Sequence, residues 1–118
     1  MRKFELKSGA RHAEQALGRR ITIQHTTLSG FRHHEAPRLW LALRPQLLLT
    51  LEREADNPHD KNAVMLRWRG LKLGYLPRAE NLVVARLLDR QRSLSARIEG
   101  LSPSAACNAR IRVEVLMH

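Results

Sequence analysis

A chain of 118 residues can bury one hydrophobic core but is too short for a motor or a two-domain enzyme, so one domain is expected. Its 21 Lys and Arg against 11 Asp and Glu leave a net charge of +10, and 17 of the 21 basic residues are arginine. Arginine grips phosphate through two parallel hydrogen bonds and stacks on flat π-systems, which makes nucleic acid the first partner to consider; the plainer account is arginine-rich coding together with solubility.

Cys107 is the single cysteine, so neither an internal disulfide nor a cysteine-based zinc site can form, which suits a reducing compartment. Met1-Arg2-Lys3 begins like a signal peptide, but Glu5 and Lys7 stand where an apolar stretch of roughly seven residues belongs. No run approaches the roughly 18 apolar residues of a membrane span. The chain reads as soluble and cytoplasmic, with no membrane partner, although a chain trimmed of a leader reads the same.

Residues 1–18 are polar, and "SGARHAEQALG" suits either a short helix from Ser8 to Gly18 or a loose extension; the domain proper is expected over 19–118. From Ile21 the pattern has period two. Ile21, Ile23 and His25 alternate with Thr22, Gln24 and Thr26, and Leu47, Leu49 and Leu51 alternate with Leu48, Thr50 and Glu52. Val64, Leu66 and Trp68 form one face of a third strand, which turns at Arg69-Gly70 into a fourth, Leu71 to Tyr75, as a hairpin.

In "LPRAENLVVARLLDRQ" the period becomes helical: Val83, Val84, Leu87 and Leu88 share a face, Arg86, Asp89 and Arg90 point away, and Pro77 stands at the helix entrance. Arg86 and Arg90, one turn apart, repel slightly, which a surface tolerates and phosphate would relieve. Strands at Leu94 to Ile98 and Ile111 to Val115 follow, separated by "GLSPSAACN". Six short strands and one or two helices predict a mainly β fold, a small six-stranded β-barrel, closed or nearly closed, with the helix plugging one opening.

"DNPHDKNAV", residues 56–64, is a turn feeding the third strand: proline pushes Asn57 into an extended conformation, and Asp60 and Asn62 can bond nearby amides. Its polar residues exceed what a turn needs, so the surplus is a candidate ligand site. An EF-hand is excluded, because Pro58 falls on a ligand position and Arg67 stands where the bidentate glutamate belongs. Zinc on His33, His34 and His59 fits poorly, since adjacent histidines in a strand face opposite ways. No serine lies in a nucleophile elbow, and Cys107 has no catalytic setting.

Three stretches in order, "GFRHHEAPRLWLAL", "LTLEREADNPHDKNAVML" and "LKLGYLPRAENLVVARLLD", resemble the HIRAN domain, with "DNPxDxNA" before a strand and "GYLPR" before a helix as its signature. The likeness runs from about Thr22 to the end of the chain. It implies an OB-like barrel, and in fork-remodelling members it implies capture of the 3′-hydroxyl end of single-stranded DNA. On that resemblance Asp60 accepts the hydrogen bond of the terminal 3′-OH, Asn57 shapes the pocket, and His33 and His59 stand where DNA-binding members place stacking tyrosines. Tyr75 and Arg78 fall where the motif meets the phosphate backbone, and His34 and Phe31 are further stacking or backbone candidates. Histidine is a smaller platform than tyrosine, but once protonated it also touches phosphate, so binding is expected to strengthen as pH falls through about 6.5.

Trp40 and Trp68 read as packing residues, and so does Phe31 in the plainer account. Lys61, Arg67, Arg97, Arg110 and Arg112 form either a basic track beside the pocket or a solvated face. The expectation is a monomeric, non-enzymatic module for single-stranded DNA or DNA 3′ ends, with no cofactor and no metal, acting beside a DNA-processing enzyme in trans. The alternatives are a barrel of the same fold that binds RNA or protein without end specificity, and a metal-dependent hydrolase using Asp56, Asp60 and a histidine. The hydrolase lacks a second carboxylate cluster to complete its site.

Overall fold

The computed structural model describes residues 20–118; the polar extension and the helix expected between Ser8 and Gly18 lie outside them. Six strands were expected and six are found: β1 (Ile21–Thr27), β2 (Leu48–Glu54), β3 (Ala63–Trp68), β4 (Leu71–Tyr75), β5 (Leu94–Leu101) and β6 (Ile111–Met117). A short helix α1 (Ala36–Leu39), with Pro37 in its first turn, lies between β1 and β2, and α2 (Leu82–Asp89) lies between β4 and β5. No helix among the described residues is long and apolar enough to cross a membrane.

All ladders are antiparallel, in the order β1-β6-β5-β2-β3-β4. β2 starts beside β5 at Leu48 and Leu49, then changes neighbour to run beside β3 from Thr50 to Glu54, which curls the sheet towards a barrel. The ladders do not close it. One bridge joins the two edges: the Ser29 N–H donates to the Tyr75 carbonyl at 2.7 Å, and the Tyr75 N–H returns a bond to the Ser29 carbonyl at 2.9 Å. The six-stranded, OB-like barrel is therefore nearly closed, with its seam at Tyr75. At the β3–β4 hairpin, Arg69 (φ 51°) and Gly70 (φ 79°) are both left-handed, as a two-residue turn matching the strand twist requires.

The core is aliphatic, with Leu28, Leu49, Val64, Leu66, Leu73, Ile98, Ile111 and Val113 buried inside the curl and Val84 and Ala85 of α2 covering them. Trp40 and Trp68 pack against this cluster, as expected of them. Two faces differ from the sequence pattern. A bulge between Thr22 and Gln24 reverses the alternation in β1, so that Ile21 and His25 are exposed while Thr26 is buried. In α2, which begins at Leu82 after a 3-10 turn at Arg78–Glu80 and not at Pro77, the stripe that packs on the core is Val84, Ala85 and Leu88, whereas Val83 is 59% exposed.

Candidate functional site

The loop from Ala55 to Asn62 uses much of its polar surplus on itself. Asn57 Oδ1 accepts the backbone N–H groups of His59 (2.8 Å) and Asp60 (3.1 Å), which is the expected Asx turn carried one residue further. Asp60 Oδ1 accepts the Asn62 N–H at 2.9 Å. Its Oδ2 accepts a bond from Asn81 Nδ2 at 2.8 Å, a partner that the sequence reading did not single out. A carboxylate has about four acceptor sites, so two remain on Asp60 for a ligand.

The loop lies at the barrel seam. A cavity of about 560 Å³ opens there, and seven residues singled out in the sequence line it: Asn57, His59 and Asp60 from the loop, His33 and His34 at the end of the 3-10 turn after β1, Tyr75 at the end of β4, and Arg78 beyond it. Ser29, Ala63 and Leu76 complete the lining. Gly30, left-handed at φ 78°, starts the histidine turn, and the buried Phe31 side chain anchors it from below. His34 meets Tyr75 edge to face, with ring centroids 5.6 Å apart, giving the cavity an aromatic corner.

Beneath that corner lies a buttress that local sequence reading does not reveal. Tyr75 donates its hydroxyl to Glu54 Oε1 at 2.7 Å, Asn57 Nδ2 donates to the same oxygen at 3.0 Å, and Lys72 Nζ stands 3.9 Å from Oε2 and 4.9 Å from the Tyr75 ring centre. Burial pushes the Glu54 carboxyl up, but the bonds from Tyr75 and Asn57, with Lys72 nearby, outweigh it and hold the group below its ordinary value. Burial raises the Tyr75 phenol; Lys72 opposes this and the Glu54 bond adds to it. His34 is lowered by burial first, then by Lys72 and His33, against a weaker pull from Glu54 and Glu35.

Other candidates lie elsewhere. Phe31 is only 5% exposed, sits edge-on to Trp40 at 5.7 Å and carries the Arg110 guanidinium 5.4 Å from its ring centre, so its place is in the core and not on the cavity wall. Lys61 lines a neighbouring cleft. The remaining arginines are each tied locally: Arg67 to Glu52 and the Gly70 carbonyl, Arg97 to Glu114, Arg110 to the Ala105 carbonyl, and Arg112 to Ser102. Cys107 receives a bond from Arg32 Nε at 3.0 Å. Among the described residues, donor atoms converge as a metal would require only at His25, Glu99 and Glu114. There Glu114 already holds Arg97 and Thr22, so the trio is an ion-pair network.

A family model described as the HIRAN domain matches residues 21–118. The fold is similar to a crystal structure of a protein from Lactobacillus plantarum, with 23% identity, 83% of this chain and 94% of that one covered and a TM-score of 0.74. It is also similar to the HIRAN domain of human HLTF, with 16% identity, 85% and 78% covered and a TM-score of 0.60. No curated protein matches the chain.

Proposed function

The chain belongs to the HIRAN domain family, whose members are nucleic-acid-binding modules, and from that premise we propose that it binds single-stranded DNA by its free 3′-hydroxyl end, without catalysis. The observation that carries the reading is a single cavity lined by Asn57, His59, Asp60, His33, His34, Tyr75 and Arg78 at the barrel seam. Asp60, held by the Asn62 amide and Asn81, accepts from the terminal hydroxyl and repels a terminal phosphate. His33 and His59, both exposed on the rim, stack on the last bases, and Arg78 meets the backbone phosphate. Supply of the 3′ end by a DNA-processing enzyme in trans belongs to the same proposal.

The test is fluorescence-anisotropy binding, in EDTA and at moderate salt, of one short strand ending in a 3′-OH or a 3′-phosphate. The wild type is expected to prefer the hydroxyl by about tenfold, roughly 1.4 kcal/mol, and Asp60→Asn and Asp60→Ala to lose the preference. A second reading rests on the same carboxylate: both Asp60 oxygens already accept bonds within the protein, as in a barrel that binds RNA or protein without regard to ends. Equal, salt-steep binding of both strands would establish that reading instead.

A further inference from the structure

Asp60 and Arg78 line a second cavity as well as the first. This adjoining cleft, of about 500 Å³, is completed by Arg53, Lys61, Asn62 and Arg86. Four of its six lining side chains are cationic, and the fold braces two of them from behind. Arg53 donates Nε to Asp89 Oδ1 at 3.0 Å and Nη1 to the Ala63 carbonyl at 3.2 Å, with its side chain 16% exposed. Arg86 Nη1 lies 3.5 Å from Asp89 Oδ2 and donates to Asn62 Oδ1 at 3.2 Å.

One carboxylate thus positions two guanidiniums from different elements, β2 and α2. Against Asp60 and Asp89, the four cations leave two positive charges unbalanced around one concavity. Neither bond of Arg53 uses Nη2, and the side chains of Lys61 and Arg78 have no ion-pair partner among the described residues. Such a cluster repels itself unless an anion enters, and guanidiniums held by one edge with donors spare on the other suit a phosphate's oxygens.

We propose that this cleft is a phosphate subsite, which takes a phosphodiester of the strand whose 3′ terminus occupies the adjoining cavity; it rests on the end-binding reading above. Because Asp60 and Arg78 line both cavities, the two adjoin, and the occupant we assign to the cleft is the backbone of the same strand and not a separate anion. Binding then gains with strand length until the backbone reaches Lys61 and Arg86.

The test compares wild type with the double variant Lys61→Gln/Arg86→Gln, both positions exposed, on strands of about two to eight nucleotides sharing one 3′-OH end. The wild type gains affinity with length. The variant is expected to lose about tenfold on the longer strands and little on the shortest, and its salt slope to fall by about 1, while its thermal unfolding and its 3′-OH over 3′-phosphate ratio hold. Identical length dependence and salt slope in the two proteins would overturn the subsite. A wild type indifferent to the 3′ group, whose length gain the variant still removes, would overturn the end reading and sustain the cleft as a phosphodiester site.

Discussion

Asn81 holds Asp60 across 21 positions of sequence: its Nδ2 donates to Asp60 Oδ2 at 2.8 Å from a side chain 1% exposed. The bond ties the start of α2 to the loop between β2 and β3 and, with the Asn62 amide, fixes the carboxylate on the cavity wall. Asn81→Leu removes the donor and leaves a carboxylate oxygen short of a partner, at an expected cost of about 1–3 kcal/mol in urea unfolding. Asn81→Asp sets a second carboxylate at hydrogen-bond distance, so its loss at pH 7 is expected to exceed that of Asn81→Leu and to shrink on acidification. Unfolding of both variants within about 0.5 kcal/mol of wild type would mean that the bond carries no stability.

Tyr75 and Asn57 together depress the Glu54 carboxyl below its ordinary 4.5. With the folded value below the unfolded one, the unfolded chain takes up its proton first as pH falls. The stabilisation is therefore complete above pH 4.5 and is lost below it, towards the folded value. Tyr75→Phe removes one of the two bonds and is expected to cost about 1–2 kcal/mol at pH 7. The gap between variant and wild type should narrow as pH is lowered from 7 to about 3. A gap independent of pH in urea unfolding would refute the coupling.

These two buttresses show where sequence reading stops. Alternation located all six strands, and the Arg69-Gly70 turn located the hairpin, because period and turn chemistry are local properties. The bulge at Ile23 is not local: it answers the register of β6, and it exchanged the faces of His25 and Thr26. The polar cluster in the loop was legible as a site, yet neither Glu54 nor Asn81 was singled out, since their partners Tyr75 and Asp60 each stand 21 residues away. The helix pattern likewise placed Val83 inside, because apolar residues run over more than one face of α2 and only packing against the core selects Val84, Ala85 and Leu88.

Gly74 and Gly100 are both buried strand glycines with opposite expected responses to alanine. A Cβ on Gly74 would meet Leu28 Cδ2 at 2.7 Å and stand closer still to the Ser29 carbonyl oxygen, a backbone atom that cannot swing aside. The contact falls on the bridge that closes the seam, so Gly74→Ala is expected to cost about 1–3 kcal/mol or more and to displace Tyr75 from the cavity. At Gly100 the three atoms nearest the Cβ all belong to the exposed Arg112 guanidinium, which can move, and the cost should stay under about 1 kcal/mol. Thermal unfolding of the two variants side by side decides it; equal losses would show that the seam yields as easily as a side chain.

Two histidines slope the stability curve in opposite directions. His25 Nδ1 pairs with Glu99 Oε2 at 2.8 Å, and that bond, with the Glu99 charge, raises His25 above 6.5. Its contribution is full below pH 6.5 and is lost as pH rises through the folded value. His34 is lowered, by burial first and then by Lys72 and His33, so in the window below 6.5 the unfolded chain binds the extra proton and stability falls as pH falls. Glu99→Gln should flatten the alkaline side of the curve, and His34→Phe the acid side, each leaving the other slope in place. Nuclear magnetic resonance titration of the ring protons checks the same assignment directly: His25 should titrate above 6.5 and His34 below it, and Glu99→Gln should move His25 down while leaving His34 where it was. A His34 that titrates above His25 would break the argument, because it would mean that the cavity wall is wet enough to charge before the exposed pair lets its proton go.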